Sequence, residues 1–171
     1  MIRDAHPEDA DAIRAIYNPF IQNSVITFEE EPISERDMRE RIRTVTADLP
    51  WLVWEEEGRI LGYAYASRWQ GRCAYRYTVE SSIYLSSDSV GKGLGRTLYT
   101  ELLQRLTEES LHSVIAGIAL PNPASIALHE KLGFVKAGQF REVGRKFDRW
   151  IDVGYWELLL ERGDPISRET P

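Results

Sequence analysis

"VGKGLGRTLY", residues 90–99, places glycine at three alternate positions directly before a segment with helical character. Main-chain N–H groups at the start of a helix have no partner within the helix, and together with the helix dipole they attract anions. The three glycines leave the backbone bare at this point, and Lys92 and Arg96 add positive charge. The stretch therefore predicts a loop between a strand and a helix that binds a phosphate group.

Three phosphate-binding patterns compete for this loop. A P-loop needs the string GxxxxGK[ST], which the chain does not contain. A dinucleotide-binding fold needs GxGxxG, but here the third glycine, Gly95, comes one residue too soon and Arg96 stands in its place. The pattern GxGxG remains, between a strand that ends at Leu85 and a helix that starts near Gly93. A glycine-rich turn without a ligand is the alternative.

Length and composition are typical of one globular domain. The chain has 171 residues, of which 43% are hydrophobic and 28% charged, and its formal net charge is −6. This charge argues against nucleic acid or another polyanion as a partner. We expect one domain over residues 1–162 and a frayed tail over 163–171.

The sequence also carries hints about the cellular compartment. No apolar run approaches the length that spans a membrane, and the N-terminus does not resemble a signal peptide, so a cytoplasmic enzyme or binding module is expected. The single cysteine, Cys73, excludes an internal disulfide and is expected to be a buried or half-buried thiol.

The spacing of the apolar residues predicts an α/β fold with helices packed on one mixed sheet. The elements follow the order β-α-α-β-β-β-α-β-α-β-β. The first hairpin turns at Glu57-Gly58, and the strand before the glycine-rich loop lies within residues 74–85. The last two strands are expected at about 139–147 and 150–160.

Two motifs give the chain a resemblance to the GNAT superfamily of acetyl-CoA-dependent N-acetyltransferases. "VGKGLG" resembles the Q/R-x-x-G-x-G/A motif of that family, with Gly93 and Gly95 in the glycine slots and Val90 in place of Gln or Arg. "NPASIALHEKLGF", residues 122–134, matches a second motif. The resemblance covers about residues 1–160 and implies a three-layer sandwich, acetyl-CoA as co-substrate and no metal.

A narrower resemblance is to the phosphinothricin and methionine sulfoximine N-acetyltransferases. It rests on W-x-x-R-x-A-Y-x-x-T-V-E-S-S-I-Y-L, from Trp69 to Leu85, and on "LHEKLGF" and "KFDRWIDVGYWEL". It implies acetylation of the α-amino group of phosphinothricin, methionine sulfoximine or methionine sulfone, which detoxifies the substrate. It also implies a homodimer formed through the C-terminal strands and the first helices. Gln70 stands where family members often carry lysine, a departure that weighs against strong binding of a phosphinate.

The resemblance also assigns residues to the co-substrate. The strand would pair its backbone with the pantetheine amides at Ile83, Tyr84 and Leu85, much as a peptide adds to a sheet edge. The pyrophosphate would bind the loop formed by Gly91, Lys92, Gly93, Leu94, Gly95 and Arg96. Asn122 would hydrogen-bond the pantetheine arm or cap the following helix, and Ser125 could have either role.

Two residues are candidates for the proton transfers. Direct attack by an amine on a thioester needs no covalent enzyme nucleophile, and no Ser-His-Asp or Cys-His arrangement is evident. Glu80 is the candidate general base, acting through a water, on the strand face of Thr78, Ser82 and Tyr84. A solvent-facing glutamate is the alternative. By the resemblance, His129 replaces a tyrosine near the CoA sulfur and would protonate the thiolate or orient the substrate, with a structural histidine as the alternative.

The acceptor implied by the resemblance is small and carries a carboxylate and a strongly polar side group. Arg72 is suited to bidentate capture of an oxyanion. Phe28, Tyr75 and Val153 would line the pocket. Acceptors such as a polyamine or a protein N-terminus would need an acidic lining or an open groove, which "WQGRCAYRY" does not suggest. A non-catalytic acyl-CoA sensor is the remaining alternative.

Overall fold

Within residues 1–160, which the computed structural model describes, seven strands and four α-helices follow the order predicted from the sequence. The strands are β1 (Ile2–Asp4), β2 (Trp51–Glu56), β3 (Arg59–Arg68), β4 (Thr78–Leu85), β5 (Ser113–Ala119), β6 (Val135–Lys146) and β7 (Arg149–Leu159). The helices are α1 (Ala10–Asn23), α2 (Glu35–Thr46), α3 (Leu94–Glu108) and α4 (Pro123–Lys131). The expected tail at 163–171 lies outside the described residues.

The strands form one mixed sheet in the order β1-β2-β3-β4-β5-β7-β6, in which only β4 and β5 are parallel neighbours. Alternate residues of a strand face opposite sides, so Trp51 and Val53 pack with α1 and α2 while Leu52 packs with α3. Helices therefore cover both faces, and the predicted three-layer α/β architecture is confirmed. None of the helices within residues 1–160 is long and apolar enough to cross a membrane.

The predicted hairpin turn is also confirmed. Glu57 and Gly58 link β2 to β3 with φ angles of 50° and 74°. Two successive positive φ angles are typical of the type I′ turn, whose twist matches that of the flanking strands. This turn is one of the local features that a sequence specifies directly.

Two strand boundaries differ from the prediction. β4 begins only at Thr78, because residues 73–75 form a short 3₁₀ turn in an exposed loop that also leaves Cys73 exposed rather than buried. β6 begins at Val135, four residues before the expected start, and its register with β7 shifts at Gly138. The bulge there interrupts the alternation on which the prediction rested.

The feature that positions the site is the short ladder between β4 and β5. It joins Thr78–Glu80 to Ser113–Ile115 and contains only three residue pairs. Beyond it, β4 stays paired with β3 as far as Leu85, and β5 stays paired with β7 as far as Ala119. The two strands therefore separate after Glu80 and leave a gap in the sheet.

β6 is one of the two edge strands of the sheet, and its side chains are mostly exposed. Phe140 on β6 and Trp150 on β7 are about 60% exposed. The homodimer expected from the resemblance stays a prediction.

Candidate active site

Two cavities meet at the gap between β4 and β5. The first, here called the Glu80 pocket, has a volume of about 390 Å³ and lies on the side of α1. The second, here called the interstrand cleft, runs between residues 81–84 of β4 and 116–119 of β5 and reaches α4. Ser82 and Gly117 line both cavities, so the opening passes from one face of the sheet to the other.

Glu80 projects into the first cavity from the last residue pair of the β4–β5 ladder. Its side chain is half-buried, and its Oε1 atom lies over Gly117, where an added Cβ would come within 3.1 Å. Among residues 1–160, no hydrogen-bond donor or cation contacts this carboxylate. Burial without compensation therefore raises the pKa of Glu80 above its ordinary value. A carboxylate with a raised pKa beside a cavity is suited to accept a proton.

β4 pairs without a register shift, so the predicted strand face of Thr78, Glu80, Ser82 and Tyr84 is confirmed. Glu80, Ser82 and Tyr84 all line the Glu80 pocket, whereas Thr78 does not. The Tyr84 ring packs among other aromatic rings, at 4.9 Å from that of Tyr17. The opposite face of β4 turns toward α3, where Leu85 lies close to the first turn of the helix.

Glycine is needed at the three positions of the glycine-rich loop for two different physical reasons. Gly91 and Gly93 have φ angles of 82° and 83°, which side chains disfavour, although a Cβ at either position would meet no atom within 4 Å. Gly95 is different, because a Cβ there would lie 3.2 Å from Leu85. The lack of a Cβ at Gly95 lets α3 begin in contact with the end of β4. The unpaired N–H groups of the first turn thus lie beside the strand end, a geometry that fits an anionic group.

The remaining residues of this loop differ in exposure. Lys92 and Arg96 are exposed, and Leu94 is half-buried. Both cations are therefore free to approach a bound anion, but their assignment to the pyrophosphate stays a prediction.

His129 lies at the wall of the interstrand cleft, but both of its ring nitrogens bond within the protein. Nδ1 is 2.7 Å from the main-chain oxygen of Ser125, and Nε2 is 3.0 Å from the hydroxyl of Tyr99. A carbonyl oxygen only accepts, so Nδ1 carries the proton and Nε2 accepts from Tyr99. The imidazole is 3% exposed, and burial lowers the pKa of His129. Both ring nitrogens thus have partners within the protein, as the structural alternative requires, and the role of His129 as a proton donor stays a prediction.

Asn122 and Ser125 both line the interstrand cleft. Asn122 caps α4, since its Oδ1 accepts from the N–H of Ser125 at 3.1 Å. The capping role considered from the sequence is therefore confirmed for Asn122. Contact of either residue with a pantetheine arm stays a prediction.

The four predicted acceptor-binding residues do not come together. Phe28 and Val153 line the Glu80 pocket. Arg72 and Tyr75 instead lie in the exposed loop between β3 and β4, outside its lining. That loop touches the pocket through Trp69, whose ring packs edge-on against Tyr155 at 5.6 Å.

Sequence reasoning missed several residues that line the same pocket. They include Thr27, Tyr65, Ser67, Val143 and Tyr155. Strand alternation from Val153 could have found Tyr155, two positions further on the same face. Val143 belongs to the irregular stretch between Phe140 and Gly144, where β6 shifts register, and no local pattern reveals it.

A larger cavity, of about 1080 Å³, lies between α1 and the β2–β3 hairpin. Three of its charged residues pair with one another, Arg3 with Asp9 at 2.7 Å and with Glu55 at 2.6 Å. It does not contain Glu80, so size alone does not identify the candidate site.

The fold, the gap and the glycine loop together define an acetyltransferase of the GNAT type. Residues 2–154 match the family model for the acetyltransferase (GNAT) domain, and the chain belongs to this family. It is 41% identical to a phosphinothricin N-acetyltransferase from Alcaligenes faecalis over 98% of this chain and 86% of that protein. It is 38% identical to an L-methionine sulfoximine/L-methionine sulfone acetyltransferase from Pseudomonas aeruginosa, over 94% of each chain.

A solved structure shows the same likeness. The phosphinothricin acetyltransferase of Sinorhizobium meliloti, in complex with acetyl-CoA, is 42% identical with a TM-score of 0.90. The match covers 94% of this chain and 88% of that one. Together these matches make the chain an N-acetyltransferase.

His129 is expected to stay neutral, with its proton on Nδ1. Because its folded-state pKa is lowered below 6.5, the unfolded chain binds the proton more tightly. The stability that His129 contributes is therefore complete above pH 6.5 and falls as the pH drops below that value. Urea unfolding from about pH 8 to about pH 5 should show the stability advantage over His129→Gln shrinking with acidity.

The matched control is His112→Gln, which alters an exposed histidine and should leave that pH dependence in place. Two-bond ¹⁵N–¹H spectra give the tautomer directly. A proton on Nε2, or an imidazolium at neutral pH, would contradict the assignment.

Proposed function

We propose that this chain transfers the acetyl group of acetyl-CoA to the α-amino group of a small amino-acid analogue of the phosphinothricin or methionine sulfoximine kind, and so detoxifies it. The observation that carries the proposal is the position of Glu80. Its uncompensated carboxylate stands at the opening where the Glu80 pocket and the interstrand cleft meet. The names of the relatives support the substrate class.

The residues present fit acetyl-CoA as co-substrate. The N–H groups at the start of α3 suit a diphosphate, and Lys92 and Arg96 stand at the same end. Beyond Glu80, the side of β4 that faces the gap has no partner on β5 and can pair with amide groups of an extended arm. The bound acetyl-CoA of the Sinorhizobium meliloti enzyme supports the same assignment.

Glu80 would act on the proton of the acceptor. An amine is mostly an ammonium ion at neutral pH and cannot attack until it loses a proton. A carboxylate with a raised pKa is well matched to take that proton through a water. The nitrogen then bonds to the thioester carbonyl carbon as the carbon–sulfur bond breaks, and the departing thiolate takes up the second proton that the nitrogen loses. No covalent bond to the protein is needed.

Recognition of an acceptor carboxylate requires a cation that the pocket lining in residues 1–160 does not supply. Arg72 keeps this role in the proposal, because its loop borders the pocket through the contact of Trp69 with Tyr155. A bidentate guanidinium–carboxylate pair would then fix the α-amino group relative to Glu80.

The proposal is tested by thiol release from acetyl-CoA with methionine sulfoximine, methionine sulfone and phosphinothricin, compared with spermidine and a peptide. We expect turnover with the two methionine derivatives and weaker use of phosphinothricin, because Gln70 replaces a lysine common in the family. Acetylation of only spermidine or the peptide would overturn the substrate class. Coenzyme A binding without any turnover would indicate a sensor.

Glu80→Gln should lower kcat/KM at neutral pH by roughly a hundredfold or more, since general base catalysis contributes at least that much. The loss should shrink at alkaline pH, where more of the amine is already deprotonated. Glu56→Gln, on an exposed residue of β2, is the matched control and should leave the rate unchanged. A pH–rate profile that is the same for Glu80→Gln and wild type would remove Glu80 from this role.

The same variant should be more stable than wild type at neutral pH. A folded-state pKa of Glu80 raised above 4.5 means that the folded chain holds the proton more tightly than the unfolded chain. Stability is then full below pH 4.5 and is lost as the pH rises through the folded-state pKa. Thermal melts should therefore show a higher midpoint for Glu80→Gln at pH 7, and no difference from wild type in acid.

Gly93→Ala should weaken the binding of coenzyme A. A Cβ in the left-handed region costs about 1–2 kcal/mol, enough to shift the loop and raise the Kd about tenfold in calorimetry. Gly58→Ala carries similar strain, at φ 74° in the β2–β3 turn, and should destabilise the fold while leaving the Kd unchanged. Equal Kd values for Gly93→Ala and wild type would mean that coenzyme A does not depend on this loop.

A further inference from the structure

Lys146 is the one buried residue among the twelve of β6, with 2% of its surface exposed. Its ammonium group donates a hydrogen bond to the main-chain oxygen of Thr27, in the loop after α1, at 2.8 Å. Burial lowers the pKa of Lys146, while Glu29 and Glu30 act in the opposite direction. Burying a charge costs free energy unless the charge is paired, so the hydrogen bond to Thr27 is needed to offset the burial of Lys146.

Thr27 is held from a second direction as well. Its hydroxyl lies 2.6 Å from the hydroxyl of Tyr17 on α1, in a buried contact. The side chain of Thr27 is thus fixed to α1 and its main chain to the end of β6. Little freedom remains for the next residue, Phe28.

Phe28 rests on Gly144, the only other residue of β6 that is partly buried. A Cβ at Gly144 would lie 2.2 Å from Cε2 of the Phe28 ring. Gly144 is not among the glycines with positive φ, so the backbone conformation does not require glycine here. Glycine is needed because the Phe28 ring occupies the space of a Cβ. Phe28 remains 41% exposed, and it lines the Glu80 pocket.

The same end of β6 supplies another part of the pocket wall. Val143, which precedes Gly144, lines the pocket, and the adjoining N–H of Glu142 donates to Asp152 at 2.9 Å. Lys146 therefore links two sides of one cavity, the α1–α2 loop and the β6 bulge.

We propose that Lys146, Thr27 and Gly144 form a clasp that positions Phe28 as a wall of the acceptor pocket. The inference rests on the proposed function, because it takes the Glu80 pocket as the acceptor site. Lys146 is a positioning residue in this scheme. It acts through Thr27 and Phe28 and does not itself line the pocket.

Lys146→Met keeps an unbranched side chain that is shorter by one atom, and it removes the charge. We expect the KM for the acceptor to rise about tenfold, as for loss of one hydrogen bond to a charged group, with kcat and the KM for acetyl-CoA unchanged. Amide exchange in residues 24–33, measured without acceptor, should become faster. Lys136→Met, on an exposed lysine of the same strand, is the matched control and should change none of these quantities.

Gly144→Ala tests the other half of the clasp and does not require the loss of a buried charge. It should also raise the acceptor KM, whereas Gly138→Ala should not, because a Cβ at Gly138 meets no atom within 4 Å. In a Phe28→Ala background, Lys146→Met and Gly144→Ala should lose most of their effect on this KM, since each acts through the ring.

Two outcomes would overturn the clasp. One is an unchanged acceptor KM together with unchanged exchange in residues 24–33. The other is an effect of Lys146→Met that is equally large with and without the Phe28 ring. Failure of the proposed function is distinguishable, because the wild-type enzyme would then acetylate none of the amino-acid analogues while the exchange measurement still reports on the clasp.

Discussion

The early end of the β4–β5 ladder is the constraint on which the rest of the site depends. Only three residue pairs join the two strands, and the ladder stops at Glu80 and Ile115. There the Ser81 hydroxyl lies 2.5 Å from that of Tyr99 and 3.4 Å from the Ile115 carbonyl, so side chains occupy the end of the ladder. Backbone groups beyond this point need partners from water or from a ligand. The gap therefore creates both a binding edge and a passage through the sheet.

The glycine-rich loop places the start of α3 beside this gap. Gly91 and Gly93 allow the chain to turn with positive φ, and Gly95 lets α3 lie against Leu85. Together they bring the start of a helix next to a strand edge that lacks a partner. The departure from the family motif at Val90 leaves the main-chain N–H groups at the start of α3 in place, and the Val90 side chain is exposed.

The sequence predicts the features that depend on neighbouring residues. Element order, the Glu57-Gly58 turn and the shared face of Glu80 and Ser82 follow from local periodicity and turn chemistry. The position of Arg72 outside the pocket and the bonding of His129 to Tyr99, thirty positions away, depend on tertiary packing that no local pattern records. The resemblance implied a place near the CoA sulfur for His129, which stays a prediction, whereas its bonding to Ser125 and Tyr99 is seen only in the structure.

Two charged side chains, Glu80 in the lining of the Glu80 pocket and Lys146 outside it, have different electrostatic environments. Glu80 has no donor or cation among residues 1–160, so burial raises its pKa and favours proton uptake. Lys146 is only 2% exposed, and its ammonium group donates a hydrogen bond to the main-chain oxygen of Thr27, in the loop just before Phe28. The Glu80 carboxylate has no partner in the part of the chain that the structure describes, so it is available to react, although its burial destabilises the fold. The Lys146 ammonium has a partner, and its hydrogen bond makes the pocket wall more rigid. Under the proposed function, a pocket wall held in this way would keep an acceptor amine within reach of Glu80.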